Sequence, residues 1–382
     1  MKLHGILNNI AGQRDTLICT VGTSLNNNII GQNESPLHSL LMANNARGVA
    51  LELLKHSPED RLNGAEINSI HSIIAGKRLD RLDNLIFLVS DTPVGSLTGR
   101  ILSHVYENPR NAERFESVSV KTIDGLTDQD VKRFRNDGLR NLVRLIGQEA
   151  RLHGSERIVI NATGGYKAQI SFAGMIGQAL EIPVCYLFER FSEVIELPPQ
   201  PVSLDLAFWL DHVELFFDLE DGIESDGPFN QPDERFATIL DTVQVEKRWL
   251  TFLSPTGQLF HESLRHRFTL SSSTILPPDS GIKSEHKKIR YEDDSRGKHK
   301  GLEIFLNKLR ESPFVKEIYT HYYNPSLNVP IRFRKSAKDP RHQLEGIFSN
   351  AGATTKFDII TTAQNSRQMQ ACIAELNGSF AA

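Results

Sequence analysis

Cysteine is scarce: Cys19, Cys185 and Cys372 are the three in 382 residues, far apart and with no CxxC pair. That excludes a disulfide framework. Two of the three sit in apolar, strand-like runs, so reduced core thiols of a cytoplasmic chain are expected. Long apolar runs are missing as well. None reaches the ~20 residues of a membrane helix, and the opening "MKLHGILNNI" lacks the form of a signal peptide. No membrane partner is expected. The GxGxxG of dinucleotide-binding turns is absent, which argues against a redox enzyme, and so is the GxxxxGK[ST] of P-loops. His261, His266, His286 and His299 follow no metal-ligand spacing, so no metal site is expected from them. There is no internal repeat.

A strong charge is lacking too. The net charge of −4 gives the chain no overall affinity for polyanions. Its distribution is uneven. Between Pro201 and Leu240 there are ten acidic residues and one basic, Arg235. From Gly281 to the end there are 17 Lys and Arg against 11 Asp and Glu. A basic end on an acidic protein suggests a polyanionic partner for that end, or a merely solvated basic domain.

With 39% hydrophobic residues, the chain can bury two or three cores. The first two hundred residues alternate strand and helix patterns. "TLICTVGTSL", "LDNLIFLVSDTP", "FESVSVKTI", "RIVIN", "PVCYLFER" and "EVIEL" read as strands; "HSLLMANNARGVALELLK" and "DQDVKRFRNDGLRNLVRLIGQEARL" read as helices. This order predicts a mostly parallel, Rossmann-like sheet covered on both faces. "LPPQP" punctuates the chain near 200. "RFATILDTVQVEKRWLTFLSPTGQLFHESLRHRF" follows the rhythm of a small winged helix, either a DNA reader or a dimerising spacer. After Ser280, "VKEIYTHYY", "VPIRFRKS", "HQLEGIFSN" and "KFDIITTA" read as an antiparallel sheet, closed by the helix "SRQMQACIAEL".

The most telling stretch is "RIVINATGGYKAQISFAGMIG", Arg157 to Gly177. It reads as strand, glycine turn, helix. Backbone N–H groups at a helix start lack partners and favour negative charge. Gly164 and Gly165 let the backbone approach a ligand closely, while Asn161, Thr163 and Lys167 add donors. A phosphate or nucleotide cradle is one reading, and a tight turn with a solvated lysine the other. Both this turn and "VGTSL" lie at strand carboxyl ends, where ligands of such sheets bind.

The pair "VGTSLNNN" and "INATGGYKA", with "LPPQPVSLD" behind them, resembles the CRISPR-associated Rossmann-fold (CARF) sensor family over about residues 1–203. The resemblance implies that Thr23 and Ser24, with Asn161, Thr163, Gly164, Gly165 and Lys167, bind a cyclic oligoadenylate across the two-fold axis of a homodimer. Cyclic tetra-adenylate is the implied ring. It would act as an allosteric activator, and no cofactor is implied. Residues 204–280 resemble the winged-helix linker that follows such sensors, with "LSPTGQLF" as its wing.

Residues 281–382 then stand where such sensors carry an effector. HEPN ribonucleases need Arg-x4–6-His; Arg100 and His104 enclose three residues, and Arg334 and His342 seven. A metal-dependent PD-(D/E)xK nuclease needs a carboxylate and then Glu-x-Lys on the next strand. Asp358 could be the first carboxylate, but the expected second position, "QACIAEL", has no lysine. RelE-type mRNA interferases are small α+β proteins with a helical hairpin and a basic sheet face. About residues 285–380 resemble them. Arg332 and Arg334, two apart, share one strand face; Arg341, His342 and Arg367 follow. The resemblance implies metal-free cleavage of mRNA in the ribosomal A site, with these arginines stabilising the transition state. Lys335, Lys298, Lys300 or His342 would be the base, since arginine stays protonated. The usual C-terminal tyrosine of that family has no counterpart after Tyr323. The expectation is thus a CARF sensor (1–203), a winged-helix linker (204–280) and a RelE-like endoribonuclease (281–382). The rivals are a PD-(D/E)xK nuclease and a non-catalytic, ligand-gated transcription regulator.

Overall fold

The computed structural model describes residues 13–32, 35–188, 193–197, 204–229, 233–339 and 343–380. The chain divides into two compact units. One comprises the described residues of 1–202, 230–241 and 253–263; the other those of 203–229, 242–252 and 264–382. The segment expected as a separate linker is shared between them. Among the described residues, no helix is long and apolar enough to cross a membrane.

The first unit is an α/β fold around a six-stranded sheet. Its strands are β1 (Thr16–Thr20), β2 (Asn84–Ser90), β3 (Ser117–Ile123), β4 (Ile158–Asn161), β5 (Val184–Tyr186) and β6 (Ile195–Glu196), in the order β3-β2-β1-β4-β5-β6. All neighbours are parallel except β5 and β6. Strands covered on both faces need apolar residues at every position, which is why β1, β2 and β4 read as continuous runs. Alternate residues feed two cores. Leu17, Cys19, Phe87 and Val159 pack on one face with Val49, Ile70 and Leu102. Ile18, Leu88 and Ile160 pack on the other with Val143, Ile146 and Ile176. The edge strand β3 alternates instead, being half solvated.

Two expected helices are broken. "HSLLMANNARGVALELLK" forms Pro36–Met42 and Ala46–Leu53. Asn44 takes φ +53 between them, and the Asn45 side chain caps the second by accepting from Gly48 N at 2.8 Å. The long helix before β4 is straight only over Leu139–His153; a π turn, Phe134–Gly138, precedes it. Gly138 abuts the loop after β3 so closely that a Cβ there would lie 2.7 Å from Leu126 Cα.

In the middle of the chain, β7 (Ile223–Ser225), β8 (Leu240–Val245) and β9 (Arg248–Leu253) form a small sheet in the order β7-β9-β8. The hairpin tip is therefore at Glu246–Lys247. "LSPTGQLF", expected as the wing, instead opens the helix Pro255–Ile275. Pro-Thr-Gly mimics a turn in sequence, but proline is tolerated in a first helical turn. Ser254 Oγ caps it by accepting from Gly257 N at 3.0 Å.

The second unit holds a five-stranded sheet in the order β10-β11-β14-β13-β12. The strands are β10 (Lys288–Tyr291), β11 (Val315–Asn324), β12 (Arg332–Lys335), β13 (Gln343–Asn350) and β14 (Ala353–Thr361). Four were legible in the sequence. β10 was not, and it pairs parallel to β11, so the sheet is mixed. Between β10 and β11 lies the α-helix Leu302–Leu309, inside "GKHKGLEIFLNKLRESP", a stretch that reads as helical in the sequence. One sheet face is covered by aromatic packing: Phe305 meets Phe333, Phe348, Phe357 and Phe380 at centroid distances of 6.4, 4.5, 6.1 and 5.5 Å. The other face is polar.

Candidate functional site

The first unit reverses direction between β1 and β4. From β1 the chain moves out to β2 and β3, then crosses back to β4 on the other side of β1. At such a switch point, ligands of open α/β sheets bind outside the carboxyl ends of the strands. The sequence-derived ligand residues all fall on the loops leaving β1 and β4 or on the strand and helix ends that bound them.

The loops touch through glycine. A Cβ on Gly22 would lie 2.6 Å from Gly165 N, and one on Gly164 would collide with the Glu66 carboxylate. Gly165 has φ +110, a conformation that favours glycine. Thr20 Oγ1 donates to Gly164 O at 2.5 Å, tying the β4 turn to β1. Asn161 is fully buried; its Nδ2 donates to Ser69 Oγ at 2.7 Å, and its Oδ1 accepts from Thr163 Oγ1 at 2.6 Å. Thr163 Oγ1 in turn accepts from Leu187 N at 3.0 Å. Asn161 and Thr163 therefore shape the turn. Thr23 and Lys167 are exposed, and Lys167, at the start of the helix Lys167–Ala179, has no side-chain partner among the described residues.

Sequence reasoning missed Glu66. It lies in the first turn of the helix Gly64–Ala75 and is 1% exposed. Its carboxylate accepts from Gly22 N at 2.7 Å and from Ser24 Oγ at 3.1 Å, while Ser24 Oγ accepts from Ala65 N at 3.0 Å. Burial raises the Glu66 carboxyl above the ordinary range, and these hydrogen bonds offset part of the rise. A single glutamate in an apolar helix carries no signal of such a position.

In the second unit the described members of the expected cation set each have a separate setting. Arg332, 11% exposed, is bound to Asp221 and donates to Phe217 O at 2.9 Å, at the carboxyl end of the helix Val213–Asp221. Arg334 is held by Glu345 at 2.8 Å. Lys335 is half-buried beside Glu214. Arg367 is exposed on the helix Ser366–Phe380. Lys298 pairs with Asp294 at 3.5 Å, and Lys300 is exposed. Arg341 and His342 lie outside the described residues.

What does assemble is a row across all five strands of the polar face: Arg290, Tyr319, Asp358, Glu345 and Arg334 are successive register partners. Two carboxylates directly opposite one another repel, so the pairing needs compensation. Asp358 is 1% exposed, and its Oδ2 has no hydrogen-bond partner. His321 Nε2 and Lys338 Nζ stand 3.6 and 3.7 Å from it. Lys356 Nζ is 3.9 Å from Glu345 Oε1. A bulge in β11 between Thr320 and Tyr322 sets His321 there, beside a 630 Å³ cavity lined also by Asp293, Lys298, Tyr322 and Tyr323. The "QACIAEL" segment expected to supply a second carboxylate is helical; the partner is Glu345, one strand over. Among the described residues no three His, Cys, Asp or Glu side chains converge as a metal site. The pair alone supplies two donors, a number compatible with a magnesium-type ion that keeps waters and substrate phosphates as its other ligands.

Residues 61–200 match the family model described as CRISPR-associated protein (Cas_APE2256). The stretch is thus similar to a CRISPR-associated domain, and it includes Glu66 and the whole 161–167 turn, but not Thr23 or Ser24. No curated protein matches the chain. Two solved structures are similar at low identity. Can2 from Sulfobacillus thermosulfidooxidans, in complex with cyclic tetra-adenylate, shares 11% identity over 73% of this chain and 71% of its own, with a TM-score of 0.24. Protein VC1899 from Vibrio cholerae shares 9% identity over 91% and 77%, with a TM-score of 0.25. Scores this low carry no inference. The Cas_APE2256 match covers the turn that lies at the switch point.

Proposed function

We propose that this protein is a CRISPR-associated effector that binds a cyclic oligoadenylate at the crevice between β1 and β4 and responds by cutting nucleic acid. The ring is cyclic tetra-adenylate by the family resemblance, held on the two-fold axis of a homodimer. Lys167 and Thr23 offer their polar atoms outward to the ligand; Glu66, Asn161 and Thr163 hold the loops that present them.

The observation that carries the cutting activity is the buried Asp358 opposite Glu345, with a carboxylate oxygen lacking a hydrogen-bond partner. Asp358 and Glu345 would hold a divalent cation, which supplies polarisation of a phosphodiester toward attack by water. The protein's own part is to fix the two carboxylates and surround them with Lys338, Lys356 and His321, which draw in the phosphate. Hydrolysis of this kind leaves 5′-phosphate ends. A second reading is the metal-free mRNA interferase acting at the ribosome. It is favoured by Arg332 and Arg334 sharing one face of β12, and weakened by the carboxylates that already hold both.

Incubating the full chain with cyclic tetra-adenylate and RNA, with and without ribosomes, separates these. EDTA-sensitive cleavage to 5′-phosphate ends supports the carboxylate site. Cleavage to 2′,3′-cyclic phosphate that survives EDTA, allowing for the magnesium that ribosomes need, would move the assignment to the interferase. Binding without any cleavage would favour the transcription-regulator alternative.

A further inference from the structure

On its own strand Asp358 has no lysine on the side away from Lys356. Residues two apart on a strand share a face, so a lysine two positions beyond Asp358 would point beside it. That position is Ile360, half-buried and paired with Gln343 and Glu317. Two positions before Asp358, Lys356 leans over the Tyr322 ring at 5.4 Å and faces Glu345. Arg334 is committed to Glu345 through both Nε and Nη2.

We propose that Lys338, reaching in from the turn after β12, is the catalytic cation of the Asp358–Glu345 pair and does the work a lysine at position 360 would do. The proposal rests on the nuclease reading above. Its Nζ lies 3.7 Å from the Asp358 oxygen that has no hydrogen bond, and it has no other side-chain partner among the described residues. The Lys338 side chain is 68% exposed while that of Asp358 is 1% exposed. A solvated amine at the mouth of a buried carboxylate can follow a phosphate as it enters. Lysine suits this task, being a compact point charge on a flexible stem. As water attacks, an O–P bond forms and the P–O3′ bond breaks. The water's proton leaves to solvent, and O3′ takes one up. Negative charge grows on the non-bridging oxygens, and Lys338 stands where it can offset that charge.

The test uses the full chain with cyclic tetra-adenylate and magnesium or manganese. Lys338→Ala should lower turnover by about 100- to 1,000-fold, the usual effect of removing one oriented transition-state contact. Adding Ile360→Lys to that variant should restore much of it. A readout independent of turnover is fluorescence anisotropy of a labelled oligonucleotide in EDTA: binding should weaken in Lys338→Ala and recover in the double variant, with melting temperature unchanged throughout. Lys338→Ala cutting at the wild-type rate, or a loss that Ile360→Lys leaves untouched, overturns the proposal. A wild-type protein inert under full activation refutes the nuclease reading itself, and this proposal with it; that outcome is distinct because no variant is needed to see it.

Discussion

Gly164→Ala is the sharpest test of how the two crevice loops are built. The new methyl would enter the Glu66 carboxylate and lie 2.9 Å from Thr20 O. Neither neighbour yields freely. Glu66 is held by Gly22 N at 2.7 Å and Ser24 Oγ at 3.1 Å, and the β4 turn is tied to β1 by the 2.5 Å bond from Thr20 to Gly164 O. Overpacking of this kind costs about 1–3 kcal/mol, and displacing a buried hydrogen-bonded group adds about 1–3 kcal/mol. A total of roughly 2–6 kcal/mol lowers the melting temperature of a unit this size by about 4–24 °C. Glu66→Ala alone should also destabilise, because it strands the Gly22 N–H. Combined, the two changes should be milder than their sum by about 1–2 kcal/mol, since removing the carboxylate makes room for the methyl. Thermal unfolding of the ligand-free protein, followed by circular dichroism, reads this directly. An unchanged melting temperature for Gly164→Ala, or strict additivity in the double variant, would refute the loop contact.

Three further outcomes follow from the same geometry. Lys167→Ala should weaken cyclic oligoadenylate binding by about 1.5–3 kcal/mol, the scale of a charged hydrogen bond; calorimetry showing equal affinity would remove Lys167 from the site. Burial raises the Glu66 carboxyl above its ordinary value of 4.5, so the folded state holds a proton that the unfolded state releases. Its contribution to stability is full below 4.5 and is lost as pH rises through the folded value; denaturant titrations of Glu66→Gln should lack that decline. Arg332→Ala should destabilise by about 1.5–3 kcal/mol, because Arg332 anchors the helix Val213–Asp221 rather than a substrate. Oligoadenylate affinity should stay unchanged, and a wild-type melting curve with lost cleavage would return Arg332 to the catalytic site.

The sequence by itself determined the parallel sheet and the place of its crevice. Continuous apolar runs such as "TLICT" and "NLIFLVS" can only be strands covered on both faces, and alternation with helices makes them parallel. A glycine turn between "RIVIN" and an apolar helix then has one place to be, the carboxyl edge. These are local properties, written within a few residues of one another. What each residue does there was decided by tertiary structure. Asn161 and Thr163 look like ligand donors in sequence but spend their polar atoms on Ser69 and Leu187. Glu66 reaches the site across 44 residues to meet Gly22. The second unit shows the same division. Its strands were legible, but register is set by pairing between distant segments, and register alone sets Asp358 opposite Glu345. Whether Arg332 faces a substrate or a helix end depends on Asp221 and Phe217, more than a hundred residues earlier in the chain. Hydrophobic periodicity carries no record of which charges meet, because a charged side chain satisfies the same pattern whether it faces solvent, a ligand or a distant partner.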